Sequence, residues 1–219
     1  MADKVNWAER NAAWEARVKA LGVERAIYHN GHPPSDYPLI DDKQYTAIIP
    51  PLLEAIGAQA VPLTLDYGCG HGRWSPLLAN ITKSNVIAVD PTESLLLHAQ
   101  EVNAHDQVIY LKLVNGQMPV IDDHTVDLLW CCMVLSTVLT EAMLDHTIAE
   151  FCRVLRPGAL VCLTDNTSKV DGRPVRSPYS ISRSTEEYQN LFDWCDLQRV
   201  GEYEDLGEIN TIFLGRVRA

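Results

Sequence analysis

The sequence has no surplus of positive charge: 18 Lys and Arg stand against 29 Asp and Glu, a net charge of −11 with His neutral. Chains that wrap a nucleic-acid backbone concentrate Lys and Arg, so that class is disfavoured. No apolar run approaches the ~20 residues that a membrane-spanning helix needs. The opening Met1-Ala2-Asp3-Lys4 is charged where a signal peptide would be apolar, so a soluble, cytoplasmic protein is the expectation. The six cysteines (Cys69, Cys131, Cys132, Cys152, Cys162 and Cys195) form no C-x-x-C pair and no His/Cys spacing suited to zinc. The expectation is therefore reduced core thiols and no metal site. Internal repeats and low-complexity tracts are also missing.

What is there suits one domain with a sizeable core: 219 residues, 47% apolar and 21% charged. Residues 1–60 stand apart as a helical cap or lid. Trp7, Trp14, Val18 and Leu21 share one helical face, Asn6 with Glu9 forms a capping box, and Gly22 ends the helix. A turn-rich stretch from His29 to Pro38 follows, then a second helical piece over 42–57 that Pro50-Pro51 should kink or split.

Residues 61–219 form the core. Short apolar strands are expected at Pro62–Tyr67, Asn85–Asp90, Gln107–Leu113, Thr125–Cys132 and Ala159–Asp165. Helical patterns at Glu93–Asn103 and Glu141–Leu155 lie between them. This alternation predicts a doubly wound α/β fold with a parallel sheet. Two β-rich runs around Gly207 predict an antiparallel hairpin at its edge.

The strongest local signal is Leu65-Asp66-Tyr67-Gly68-Cys69-Gly70-His71-Gly72-Arg73-Trp74, which follows a strand and opens a helix. Gly68 and Gly70 allow a tight turn and bring backbone amides close to a ligand. Asp90 ends the next strand, eighteen positions after Gly72, where a carboxylate can accept both hydroxyls of a ribose. Read blandly, the loop is an ordinary turn and Asp90 a helix N-cap. Together they point to a nucleoside-containing cofactor. The glycine spacing is not that of a dinucleotide site, and Asp66 would repel a pyrophosphate but suit a cationic amino-acid moiety.

With these residues the sequence resembles the class I S-adenosylmethionine-dependent methyltransferases. Asp66-Tyr67-Gly68-Cys69-Gly70-His71-Gly72 matches the first motif of the family and Val89-Asp90 the second. Asn115-Gly116-Gln117-Met118-Pro119 resembles the adenine loop after the third strand, although the acidic residue of many members is missing. Asp127–Cys132 resembles the fourth strand, Leu155-Arg156-Pro157-Gly158 the turn before the fifth, and Ser182–Tyr188 the start of the last helix, with Ser184 and Glu187 as its capping box.

The resemblance implies a seven-stranded Rossmann-like sheet, S-adenosylmethionine as cofactor, and an enzyme that methylates a small-molecule acceptor at O or N. The cofactor site it implies comprises Asp66, Gly68, Cys69, Gly70 and Trp74 from the first loop, and Asp90 and Pro91 from the second strand. Gly116, Gln117 and Met118 follow from the adenine loop, and Cys131 from the fourth strand. A protein or nucleic-acid acceptor, or a cofactor-binding subunit without catalysis, are the alternatives. The motif that the family uses on exocyclic amines of bases is replaced by Cys131-Cys132-Met133-Val134. Displacement at a methyl group rests largely on positioning, and a base is needed only where the acceptor must lose a proton. No catalytic residue is fixed by the sequence; weak candidates are His32, Tyr37 and Asp165. His71 reads as facing solvent or the cofactor carboxylate, and His146 as a surface residue. The oligomeric state is open.

Overall fold

The computed structural model describes residues 6–118, 120–167, 169–170, 173–174 and 179–218. Helices α1 (Trp7–Leu21), α2 (Val23–Ile27) and α3 (Tyr37–Ile56) precede the sheet. Then follow β1 (Leu63–Tyr67), α4 (Ser75–Thr82), β2 (Asn85–Asp90), α5 (Glu93–Val102), β3 (Val108–Lys112), β4 (Val126–Cys132), α6 (Glu141–Val154) and β5 (Leu155–Asn166). A two-stranded ribbon, β6 (Lys169–Val170) and β7 (Arg173–Pro174), leads to α7 (Thr185–Leu191) and the hairpin β8 (Gln198–Asp205) and β9 (Glu208–Arg216).

The main sheet runs β3-β2-β1-β4-β5-β9-β8. The first five strands are parallel; β9 pairs antiparallel with both β5 and β8. This is the doubly wound, seven-stranded Rossmann-like sheet with an antiparallel edge. Strand order reverses between β1 and β4, and ligands of open α/β sheets bind beyond the carboxyl ends of the strands at such a point.

Strand alternation sends successive residues to opposite faces. Leu65, Tyr67, Leu129 and Cys131 pack with Phe151 of α6 and Tyr188 of α7. Leu128 and Trp130 pack on the other face with Ile48 and Leu52 of α3 and Leu78 of α4. The capping boxes Asn6–Glu9 and Ser184–Glu187 both form, and Gly22 ends α1.

One expectation about the first sixty residues changes. Pro50 and Pro51 neither split nor end their helix; α3 runs unbroken from Tyr37 to Ile56. The prolines remove two donors, but Ile48, Ile49 and Leu52 are almost fully buried, and that packing outweighs the lost bonds. The turn-rich stretch is tied down. His32 is 8% exposed, and its Nε2 lies 3.0 Å from each carboxylate oxygen of Asp205 at the hairpin turn. Among the described residues no helix is long and apolar enough to cross a membrane, and no group of three His, Cys, Asp or Glu is placed to hold a metal.

Candidate functional site

A cleft opens at the carboxyl ends of β1, β2 and β4, with ≈ 840 Å³ of space including its mouth. Its floor is Tyr67, Gly68, Cys69 and Gly70; Asp90, Pro91, Thr92 and Leu95 form one wall and Cys132, Met133 and Val134 another. Helix α1 lies across it and contributes Trp7, Arg10 and Trp14, while Ile27 of α2 closes the end over Gly70.

The loop after β1 is held by bonds that its sequence provides. The amides of Gly68 and Cys69 donate to the Val89 carbonyl at 2.8 and 3.0 Å. The Gly70 amide donates to Asp90 Oδ2 at 3.0 Å, and the Thr92 amide to Oδ1 at 2.8 Å. Asp90 therefore braces two loops while lining the cleft. Burial pushes its pKa up, and the two amides oppose that.

The two glycines are required for different reasons. A Cβ at Gly68 would come within 2.5 Å of Val134 Cγ2, so the loop after β4 needs its absence. At Gly70, with φ +57°, a Cβ would meet only Ile27, at 3.5 Å; a side chain there would project into the cleft. The positive φ itself disfavours other residues.

Of the predicted cofactor residues, Gly68, Cys69, Gly70, Trp74, Asp90 and Pro91 line the cleft. Five do not. Asp66 is 2% exposed, turned to the α4 side of β1, and accepts a 2.6 Å bond from Ser75 Oγ. Burial raises its pKa to about 7, with Ser75 opposing the shift. It fixes the start of α4 instead of facing a ligand. Cys131 packs in the core, and alternation brings Cys132 to the cleft in its place.

The adenine loop is covered. A Cβ at Gly116 would come within 2.5 Å of Trp7 Cζ2. Met118 is buried, its amide and carbonyl bonded to Glu150 and Arg153 of α6, and Gln117 faces solvent. Pro119 lies outside the described residues. Leu113 and Trp7 line this end of the cleft.

The weak catalytic candidates do not reach the cleft. His32 is engaged with Asp205, and Tyr37 stacks on Tyr28 with ring centroids 3.9 Å apart. Asp165 is fully buried, and its oxygens accept the Ser136 and Asn166 amides, each at 2.9 Å. His71 faces neither solvent nor cleft: it is 8% exposed and stacked on His98, and its pKa falls to about 4 through burial and the nearby Arg73 and His98. His146 is half-buried, edge-on to Trp7 at 6.2 Å.

Arg10 and Thr137 are cleft residues with no motif to mark them, and Arg73, at the end of the glycine loop, joins them. Arg73 pairs with Asp41, donates to Gln44 at 2.6 Å and lies 4.9 Å over the Trp74 ring. The only signal for Arg10 is its place between Trp7 and Trp14 on one helical face.

The cleft fits S-adenosylmethionine. Its volume suits a ligand of that size, it presents the Asp90 carboxylate, and Gly70 leaves the backbone open to close approach.

Comparison with known proteins agrees. Residues 64–158 match a family model described as a methyltransferase domain. The N-demethylindolmycin N-methyltransferase of Streptomyces griseus is 30% identical over 106 residues, 47% of this chain and 43% of that protein. The match therefore spans less than half of that relative. Among solved structures, the [4+2]-cyclase SpnF superposes with a TM-score of 0.71 at 15% identity, covering 99% of this chain and 98% of that one. A methyltransferase from Aquifex aeolicus superposes at 0.59 with 22% identity, covering 85% and 99%. The domain match lies over the strands and loops that build this cleft, so residues 64–158 are similar to a methyltransferase domain, on a sheet of the Rossmann-like methyltransferase fold.

Proposed function

We propose that the protein transfers a methyl group from S-adenosylmethionine to an oxygen or nitrogen of a small-molecule acceptor, with α1 as the lid of the site. The observation that carries this reading is α1 itself. Trp7, Arg10 and Trp14 line the cleft from it, so the helix covers the side opposite the glycine loop. The likeness to a methyltransferase named for a small molecule supports it.

The cofactor supplies a methyl group on a sulfonium. In this reading Asp90 receives the ribose hydroxyls, and the backbone of Gly68 to Gly70 lies along the amino-acid moiety. Cys132, Met133 and Val134, beside the loop, form the acceptor wall. The Tyr67 hydroxyl and the Cys132 thiol that line the cleft are not bases near neutral pH. Burial pushes the Tyr67 hydroxyl and the Cys132 thiol up to about 12. Orientation and exclusion of water then carry the transfer, and these suit an acceptor whose lone pair is available at working pH.

The test is a metabolite pool incubated with methyl-labelled cofactor. Label in a small molecule, dependent on Asp90, supports the reading; label in protein or RNA overturns it. Tight S-adenosylhomocysteine binding with no labelled product would favour a cofactor-binding protein without transfer, since a shared fold does not fix an activity.

A further inference from the structure

Arg10 is a buried cation whose neighbours do not neutralise it. It is 7% exposed, in the first turn of α1, on the face that lines the cleft. Nε donates to the Thr137 carbonyl at 2.6 Å, and Nη2 donates to the Thr137 hydroxyl. That hydroxyl donates in turn to the Val134 carbonyl at 2.7 Å, which anchors the guanidinium to the segment packed on Gly68. Nη1 has no hydrogen-bond partner among the described residues, and no carboxylate of theirs lies within 4.0 Å of the guanidinium.

Every other feature of its surroundings is neutral or already engaged. Asp90 acts on it only at longer range, and both Asp90 oxygens hold backbone amides. The Trp14 ring is 6.0 Å away, at the limit of a cation–π contact. Buried charges are normally paired, and a guanidinium cannot escape by losing its proton. A cation so held beside a ligand cleft finds its partner in the ligand.

We propose that Arg10 binds the α-carboxylate of the cofactor. S-adenosylmethionine carries two cationic groups, the sulfonium and the ammonium, and that carboxylate is its only anion. A guanidinium with one edge fixed by Thr137 presents its remaining N–H groups in a planar fork that matches a carboxylate. The contact also couples cofactor to lid, because the anion is gripped from α1 while the ribose is held from β2.

Titration calorimetry without any acceptor tests this, so that a carboxylate on the acceptor cannot account for the result. Two ligands are compared, S-adenosylhomocysteine and its decarboxylated analogue with a 3-aminopropyl thioether, on the wild type, Arg10→Met and Arg10→Lys. The wild type should prefer the carboxylate-bearing ligand. Arg10→Met should weaken S-adenosylhomocysteine binding by about ten- to a hundredfold, the range for a hydrogen-bonded charge pair, and erase the preference. Arg10→Lys should restore part of it. Equal losses for both ligands would make Arg10 a latch for α1 and overturn the proposal, as would unchanged S-adenosylhomocysteine affinity in Arg10→Met. A wild type that binds both ligands equally also overturns it. A wild type that binds neither ligand overturns the cofactor assignment itself, and the role of Arg10 with it.

Discussion

The carboxylate of Asp90 accepts the amide of Gly70 at 3.0 Å, joining the end of β2 to the glycine loop after β1. Its other oxygen takes the Thr92 amide, so one side chain holds both loops that flank the cleft.

Removing that carboxylate should therefore cost both binding and stability. Asp90→Ala is expected to lose ~2–3 kcal/mol of S-adenosylhomocysteine affinity through the ribose contacts. It should also lose about 1–3 kcal/mol of folding free energy through the orphaned amides. Asp90→Asn, which keeps one acceptor, should recover part of the stability and little of the affinity. Calorimetry and thermal melts separate the two, and a stable Asp90→Ala with normal affinity would contradict both roles.

Gly68 and Gly70 should fail in opposite ways. Gly68→Ala drives a Cβ against Val134, and overpacking of this kind costs roughly 1–3 kcal/mol. The melting temperature should drop. Gly70→Ala meets nothing closer than Ile27, so its folding penalty is the left-handed backbone alone, about 1–2 kcal/mol. Its main effect should be weaker cofactor binding, and Gly70→Val should abolish it. Equal binding losses for Gly68→Ala and Gly70→Ala at equal melting temperatures would refute the distinction.

Helix α1 is fastened to the core at its Glu15. Oε1 accepts the Glu93 and Ser94 amides at 2.7 and 3.3 Å, and Oε2 accepts the Ser94 hydroxyl at 2.6 Å. A side chain of α1 thus caps α5. Glu15→Ala should cost about 1 kcal/mol, the usual size of a lost cap, and speed hydrogen exchange in both helices. Ligand should protect residues 7–21 of α1 more than the 28–40 stretch, which His32 and Asp205 already tie to the hairpin. Exchange in α1 that ignores ligand would count against the lid.

Asp66 should leave a pH signature. Its folded pKa, raised to about 7 by burial, lies above the usual 3.8, so the native state holds the proton more tightly than the unfolded chain. Stability from this group is full below about 4 and falls as pH rises towards 7. Asp66→Asn should flatten that slope and melt no lower than the wild type at pH 8. A steeper decline in the variant, followed by scanning calorimetry across pH 4–8, would reverse the assignment.

The cap of α1, the parallel strands, the edge hairpin and the glycine loop were all legible because each is a local pattern. A capping box spans four residues, a strand alternates every two, and a turn announces itself in its glycines. The helix is not split at Pro50-Pro51, since the burial of Ile48, Ile49 and Leu52 that holds it together is invisible along the chain.

Sequence by itself determined the fold and the order of the loops that reach the cleft, because these follow from short-range periodicity and spacing, and its motifs carried the family resemblance. Only the tertiary structure decided which side chains face it. Alternation says that Asp66 and Tyr67, or Cys131 and Cys132, point to opposite sides, but not which side borders the cleft; packing of α4 and α6 settles that. Arg10 meets Thr137 across 127 positions and His32 meets Asp205 across 173. Contacts at such separations depend on how α1 and the hairpin dock, which turns one buried arginine towards the cleft and draws a histidine away from it.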